Sequence, residues 1–176
     1  MVDIIPCDIF AGGAQVLIHQ ANCYHTMASG IAREIRERYP EAYAADLATP
    51  KDSLEKLGTY SVAQVNAPSQ PGAGIAGNPD GPADSSVPRL RYIVNLYSQY
   101  GFATGNRRTS CDAMFTGLTA IRDDSRFAGL ELAVPYMIGC GLGGGNWNVV
   151  TAILKAVFSD PYAEGQAQPK LSIYKK

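Results

Sequence analysis

Five of the seven residues from Gly139 to Gly145 are glycine, within the stretch Gly139-Cys140-Gly141-Leu142-Gly143-Gly144-Gly145-Asn146. A backbone this bare turns with positive φ and lets a ligand approach its amides closely. The stretch follows a buried-type apolar run, Leu132 to Ile138, and precedes a run with Val150, Ile153, Leu154, Val157 and Phe158 on one helical side. A glycine loop between a strand and a helix N-terminus suits a phosphate or diphosphate. The alternative is a strand-to-helix turn that happens to be glycine-rich, although a turn alone seldom needs five. No Gly-Lys-Ser/Thr follows, so the loop is not of the Walker A type.

The rest of the chain repeats the alternation of strand and helix. Val16 to Ala21 is a β-branched, mostly apolar run of strand length. From Gly30 the pattern changes: Ile31, Ile35 and Tyr39 fall four apart with charges on the other faces, which predicts an amphipathic helix stopping at Pro40. Glu34 and Arg38 add an i,i+4 pair. Thr59 to Asn66 and Arg91 to Gln99 read as strands. Thr109 with Asp112 forms a capping pair that opens a helix, with Cys111, Met114, Phe115, Leu118 and Ile121 on one face. Pro135 inside its strand argues for an edge or a bulge, and Lys170 to Lys176 closes the chain as a short strand. Residues 67 to 88, rich in Pro, Gly, Ala and Ser, read as a surface loop rather than a linker. The expectation is one α/β domain over residues 1–176 with a largely parallel or mixed sheet.

Composition narrows the partners. Fifteen basic against sixteen acidic side chains leave a net charge of −1. No surplus of cations exists to neutralise phosphates in bulk, which argues against nucleic acid or an anionic membrane as the main partner. No apolar run approaches bilayer-spanning length, and the N-terminus lacks a basic segment followed by a long apolar one. Cys7, Cys23, Cys111 and Cys140 form no CxxC pair and read as reduced thiols, so a cytoplasmic protein is expected. No His and carboxylate cluster with metal-ligand spacing is visible, and no metal or cofactor is expected.

A second loop at a strand end, Asn22-Cys23-Tyr24-His25-Thr26-Met27-Ala28-Ser29-Gly30-Ile31-Ala32, also runs into a helix. Two such loops at carboxyl ends of strands define a crevice with a helix N-terminus on each side, a match for adjacent phosphates. Asn22 can address a sugar hydroxyl or simply hold a turn. His19 lies within a strand, either as a buried imidazole or as an acid–base group. His25 lies in the loop, either solvated or within reach of a ligand. Cys140 sits beside a helix N-terminus that would lower its pKa, or is simply a small buried residue.

Together these stretches resemble the macro domain, an ADP-ribose-binding module, over nearly the whole length except the 67 to 88 insertion. Cys7-Asp8-Ile9-Phe10 resembles the family's Gly-Asp-Ile/Leu element. Ile18-His19-Gln20-Ala21-Asn22-Cys23, Gly30-Ile31-Ala32 and a charged helix ending in Tyr39-Pro40 resemble its first loop and helix, and Tyr136 to Leu142 its phosphate-binding loop. Within the family, the combination resembles the branch of ADP-ribose-1″-phosphate phosphatases and deacylating macro domains. The resemblance implies a three-layer α/β/α fold around a mixed sheet. It implies that Asp8 accepts from the adenine amino group, that Ile9 adds a backbone contact, and that Tyr174 stacks on adenine. Ser29, Gly30 and Ile31 would line one side of the diphosphate, with Cys140, Gly141, Leu142, Gly143, Gly144 and Gly145 on the other. Asn22 would address the distal ribose, with His19 beside it.

The lysine and aspartate by which deacylating relatives remove ADP-ribose are absent. The corresponding stretches read Asn95-Leu96-Tyr97-Ser98-Gln99 and Gly143-Gly144-Gly145. That puts the deacylating mechanism aside, and the activity the resemblance implies first is hydrolysis of ADP-ribose-1″-phosphate to ADP-ribose and phosphate, without a metal. His19 is the first choice of acid–base group and His25 the second, with Asn22 positioning the ribose. The alternatives are a non-catalytic ADP-ribose reader and a hydrolase acting on ADP-ribosylated proteins.

Overall fold

The computed structural model describes residues 2–65, 90–102, 107–159 and 167–176. The 67 to 88 insertion lies outside them. The described elements run β1 (Asp3–Ile5), β2 (Val16–Asn22), α1 (Gly30–Arg38), α2 (Pro40–Leu47), β3 (Tyr60–Gln64), β4 (Tyr92–Gln99), α3 (Cys111–Arg122), β5 (Glu131–Pro135), α4 (Trp147–Ser159) and β6 (Lys170–Tyr174). The six strands form one sheet in the order β1-β6-β5-β2-β4-β3, parallel except where β3 meets β4.

β2 is the hinge of this topology. It pairs with β4 on one side and β5 on the other, both parallel. Being covered on both faces, it reads as an apolar run rather than an alternating one. Its even-numbered residues Val16 and Ile18 pack with Met114, Leu118 and Ile121 of α3 and with Val150, Leu154, Val157 and Phe158 of α4. Odd-numbered Leu17 packs with Ile35, Tyr39 and Ala42 of the α1–α2 layer. Burying a large aliphatic side chain is worth about 1.5–3 kcal/mol, so these two clusters fix the layers. The structure is thus α/β/α, as expected.

Several local expectations change. Pro40 does not merely stop a helix. It occupies the first turn of α2, where its fixed φ and missing N–H cost nothing. The cap of α3 is Ser110, whose hydroxyl accepts from the Ala113 amide, not Thr109. Phe115 is 48% exposed and lies off the buried face of that helix. Pro135 ends β5, and its carbonyl accepts from the Ile138 amide as the chain turns away.

Candidate functional site

Chain order reverses beside β2, since α1 and α2 lead to β3 and β4 on one flank while α3 leads to β5 on the other. A crevice at the carboxyl ends of the strands is the normal consequence. The pairing of β2 with β4 shifts register between Ala21 and Asn22, which separates the strand ends there. A cavity of about 510 Å³ opens at this point. Gln20 to Asn22, Gln99 and Pro135 mark the strand ends around it, with Thr26 to Ala32 on one wall and Tyr136 to Gly143, less Cys140, on the other.

The two walls are not equivalent. On the first, Ser29 caps α1 through its backbone geometry, without a side-chain cap bond, and Gly30 holds φ +53°, which glycine adopts without a Cβ penalty. The leading amides of α1 have no carbonyl of a preceding turn to bond, and the residues that carry them, Gly30, Ile31 and Ala32, line the cavity. On the second wall, the lining ends at Gly143. The N-terminus of α4 is closed instead by Asn146, whose Oδ1 accepts from the Asn148 amide at 2.9 Å. One helix N-terminus, not two, opens on the crevice.

The glycines divide accordingly. Gly141 lines the cavity, and a Cβ there would meet nothing within 4 Å. Gly143 serves packing: a Cβ would stand 2.4 Å from Thr109 Oγ1 and 2.7 Å from Gly139 O. Gly144 and Gly145 lie outside the lining, and their amides donate to Gly141 O and Gly139 O. Thr109 ties this loop down, donating to Gly139 O at 2.7 Å while accepting from Gln20 Nε2 at 3.0 Å.

Neither histidine lines the cavity. His19 has the odd-numbered parity of Leu17, so its ring points into the α1–α2 layer and is 0% exposed. Its Nε2 donates to Asn95 Oδ1 at 2.7 Å, because Asn95 Nδ2 is already committed to Ala42 O and Ser61 Oγ. Burial pushes its pKa down, against the opposing pull of its contacts with Asn95 and with Gln20 O, and the fully buried ring does not border the cavity. The expectation of His19 as the acting acid–base group is corrected. His25 sits at φ 60° with its side chain 8% exposed, its Nε2 3.3 Å from Thr49 Oγ1 and 4.0 Å from Asp46 Oδ1. Burial lowers its pKa as well, and it too faces inward rather than toward the cavity.

Other expected site residues are spread more widely. Asn22 lines the cavity, but its side chain is engaged in the first loop: Oδ1 accepts from the Tyr24 amide at 2.9 Å and Nδ2 donates to Thr26 O at 3.1 Å. Ser29, Gly30, Ile31, Gly141, Leu142 and Gly143 all line it. Cys140 does not. Its thiol donates to Ile138 O, and burial raises its pKa rather than a helix dipole lowering it. Asp8 and Ile9 stand apart from the lining. Asp8 accepts from the Phe10 amide and, at 2.7 Å, from Lys176 Nζ, which first among its causes holds its pKa below the usual carboxylate value. Tyr174 is 5% exposed, its ring laid over Gly12 and packed with Ala14 and Ala133. It offers no open face for stacking, which corrects that expectation.

The structure adds lining residues that the motifs did not reveal, among them Phe102 and Asp46. Asp46 lines the cavity from α2 although it is only 1% exposed. Its Oδ1 accepts from Tyr97 Oη at 2.8 Å and pairs with buried Lys56 Nζ at 3.4 Å. Tyr97 Oη continues to Ser61 Oγ at 2.8 Å, and Ser61 to Asn95 and so to His19. The sequence signal for it was an acid four residues after Ala42, on the apolar side of a helix.

No family model matches the chain. A protein of Enterobacteria phage T4, described as an uncharacterized 17.5 kDa protein in the tk-vs intergenic region, is 28% identical over 151 residues. The match covers 83% of this chain and 81% of that one. Among solved structures, the macrodomain of Mycobacterium tuberculosis DarG aligns with a TM-score of 0.67 at 19% identity, covering 99% of this chain and 97% of that one. The macrodomain of Thermus aquaticus DarG gives 0.65 at 17%, covering 100% and 99%. Thermosipho africanus DarTG, solved in complex with ADP-ribose, gives 0.67 at 17%, covering 98% of this chain and 41% of that one. The chain has the macrodomain fold, in one domain.

Proposed function

We propose that this protein binds ADP-ribose in the cavity at the carboxyl end of β2 and hydrolyses the terminal phosphate of ADP-ribose-1″-phosphate. The observation that carries the binding reading is the open N-terminus of α1 facing Gly141 across the cavity. The described residues of the lining include no Lys, Arg or His, so a diphosphate there is held by backbone amides and the helix dipole. Ser29, Gly30 and Ile31 take one side of the diphosphate, and Gly141, Leu142 and Gly143 the other. Asn22 orients the distal ribose with its remaining amide hydrogen, and Asp8 with Ile9 serves the adenine end. The DarTG structure with ADP-ribose supports the ligand class, by likeness of fold.

Hydrolysis of the terminal phosphate is the finer part of the proposal. It is supported by the resemblance of the two loops and by the absence of the lysine and aspartate used by deacylating relatives. The inward orientation of both histidines favours a second reading, a non-catalytic reader of free or protein-linked ADP-ribose. Calorimetry with ADP-ribose tests the site, and phosphate release from ADP-ribose-1″-phosphate tests the reaction. Binding with turnover is expected. Binding without turnover leaves the reader, removal of ADP-ribose from modified protein identifies the third activity, and no binding overturns both.

A further inference from the structure

Phe102 lines the cavity just beyond the end of β4 and is 56% exposed. Its surroundings hold it there. The Tyr24 ring meets it at 5.6 Å between centroids and 74° between planes, and Tyr24 meets Tyr100 at 5.3 Å and 69°. Tyr100 Oη is anchored in turn, donating to Asp52 Oδ1 at 2.7 Å. An edge-to-face contact uses at most one face of a ring, and with over half of Phe102 exposed a second face is open. A phenyl group offers a phosphate neither charge nor hydrogen bond. It offers a flat surface with a negative electrostatic face.

Phe102 also belongs to a definite end of the cavity. β2 lies between β5 and β4, so the two outer strand ends stand two strand spacings, about 10 Å, apart. Past β5, Lys175 Nζ lies 4.7 Å over the Tyr136 ring, and the next residue, Lys176, pairs with Asp8. That is the adenine end. Past β4, the Tyr24 that packs on Phe102 also donates its backbone amide to Asn22 Oδ1. That is the distal-ribose end. Among the described residues, Tyr136 and Phe102 are the two aromatics of the lining, one at each end.

We propose that Phe102 forms a ring subsite at the distal-ribose end, and that the cavity takes a dinucleotide: an ADP-ribose whose distal ribose carries a pyridinium ring stacked on Phe102. The inference rests on the ADP-ribose-binding part of the reading above and not on the phosphatase part. The negative face of a phenyl ring attracts a flat cation. The described lining includes no Lys, Arg or His to repel one. The diphosphate stays at the centre, on the leading amides of α1. The cavity, at about 510 Å³, lies within the usual range for sites that enclose small ligands. The ring takes the position that the terminal phosphate of ADP-ribose-1″-phosphate would take, so the two ligands compete.

Calorimetry with NAD⁺ and with ADP-ribose, on wild type and on Phe102→Ala, tests this. Wild-type protein should prefer NAD⁺. Phe102→Ala should lower the ratio of NAD⁺ to ADP-ribose affinity by about 5–30-fold, the worth of a ring stacked on an aromatic side chain. If Phe102→Ala does not fold, judged by thermal unfolding, Phe102→Leu keeps the apolar bulk without the flat ring and should lower the ratio likewise. NADH, whose nicotinamide ring is uncharged, should bind more weakly than NAD⁺, and equal affinity overturns the pyridinium assignment. A ratio unchanged in the folded variant, or wild-type protein that binds ADP-ribose but not NAD⁺, overturns the proposal and leaves the ADP-ribose site standing. Protein that binds neither overturns the ADP-ribose reading itself, an outcome distinct from both.

Discussion

Gly141 and Gly143 stand two residues apart and do different work. A side chain at Gly141 enters open cavity, while one at Gly143 collides with Thr109 and with the backbone of Gly139. Gly141→Glu is therefore expected to abolish ADP-ribose binding, by filling the diphosphate position with a carboxylate, while leaving the melting temperature within a degree or two of wild type. Gly143→Ala is expected to cost about 1–3 kcal/mol of stability, the range for overpacking a tight site. Calorimetry and thermal melts on the pair check both. His19 carries a second prediction. Its folded pKa lies below its ordinary 6.5 because burial disfavours the charged ring. The unfolded chain then binds more protons as pH falls, so stability is full above about 7 and declines as pH drops through 6.5 toward the lower folded value. Melts from pH 8 to 5 should show that decline, and His19→Gln should have a lower melting temperature at pH 8 but a shallower slope. A slope unchanged in the variant assigns the titration to another group, His25 first.

Among the elements, the start of α3 shows how neighbouring residues divide stability and function. Ser110 caps the helix, and Thr109 holds the cavity loop through Gly139. Ser110→Ala should destabilise the protein by about 1 kcal/mol, as lost caps do, without changing ADP-ribose affinity. Thr109→Ala releases the loop carrying Gly139, Gly141 and Gly143 and should weaken binding severalfold at a similar cost in stability. Equal affinities for the two variants would mean that the loop holds its shape without this tie. Much of this layer was legible in advance. The strand runs, the amphipathic α1 and the glycine loop follow from period and composition, and so does the ion pair of Glu34 with Arg38, seen at 2.6 Å. The helix from Pro40 to Leu47 was not, because Pro-Glu-Ala-Tyr-Ala-Ala-Asp-Leu is only weakly amphipathic and proline reads as a stop.

Across the whole molecule, the sequence by itself determined a single α/β domain and placed two loops at strand ends, since hydrophobic period and glycine content are local properties. On the two cavity walls it singled out Ser29, Gly30, Ile31, Gly141, Leu142 and Gly143. The tertiary structure decided the rest. β2 became central, flanked by β4 and β5, and that position sent His19 into the α2 layer instead of the cavity. Partners of that layer lie far apart in the chain: His19 meets Asn95, and Tyr97 meets Asp46. No spacing motif encodes such pairs, because they form only when two separate strands share a register and a helix packs across both. The same holds for Tyr174, which the family resemblance offers as a stacking aromatic and which the packing of β6 over Gly12 buries. Periodicity says which side chains share a face of one element. Which face then borders the cavity depends on strand order, and strand order is set by burial summed over the whole sheet.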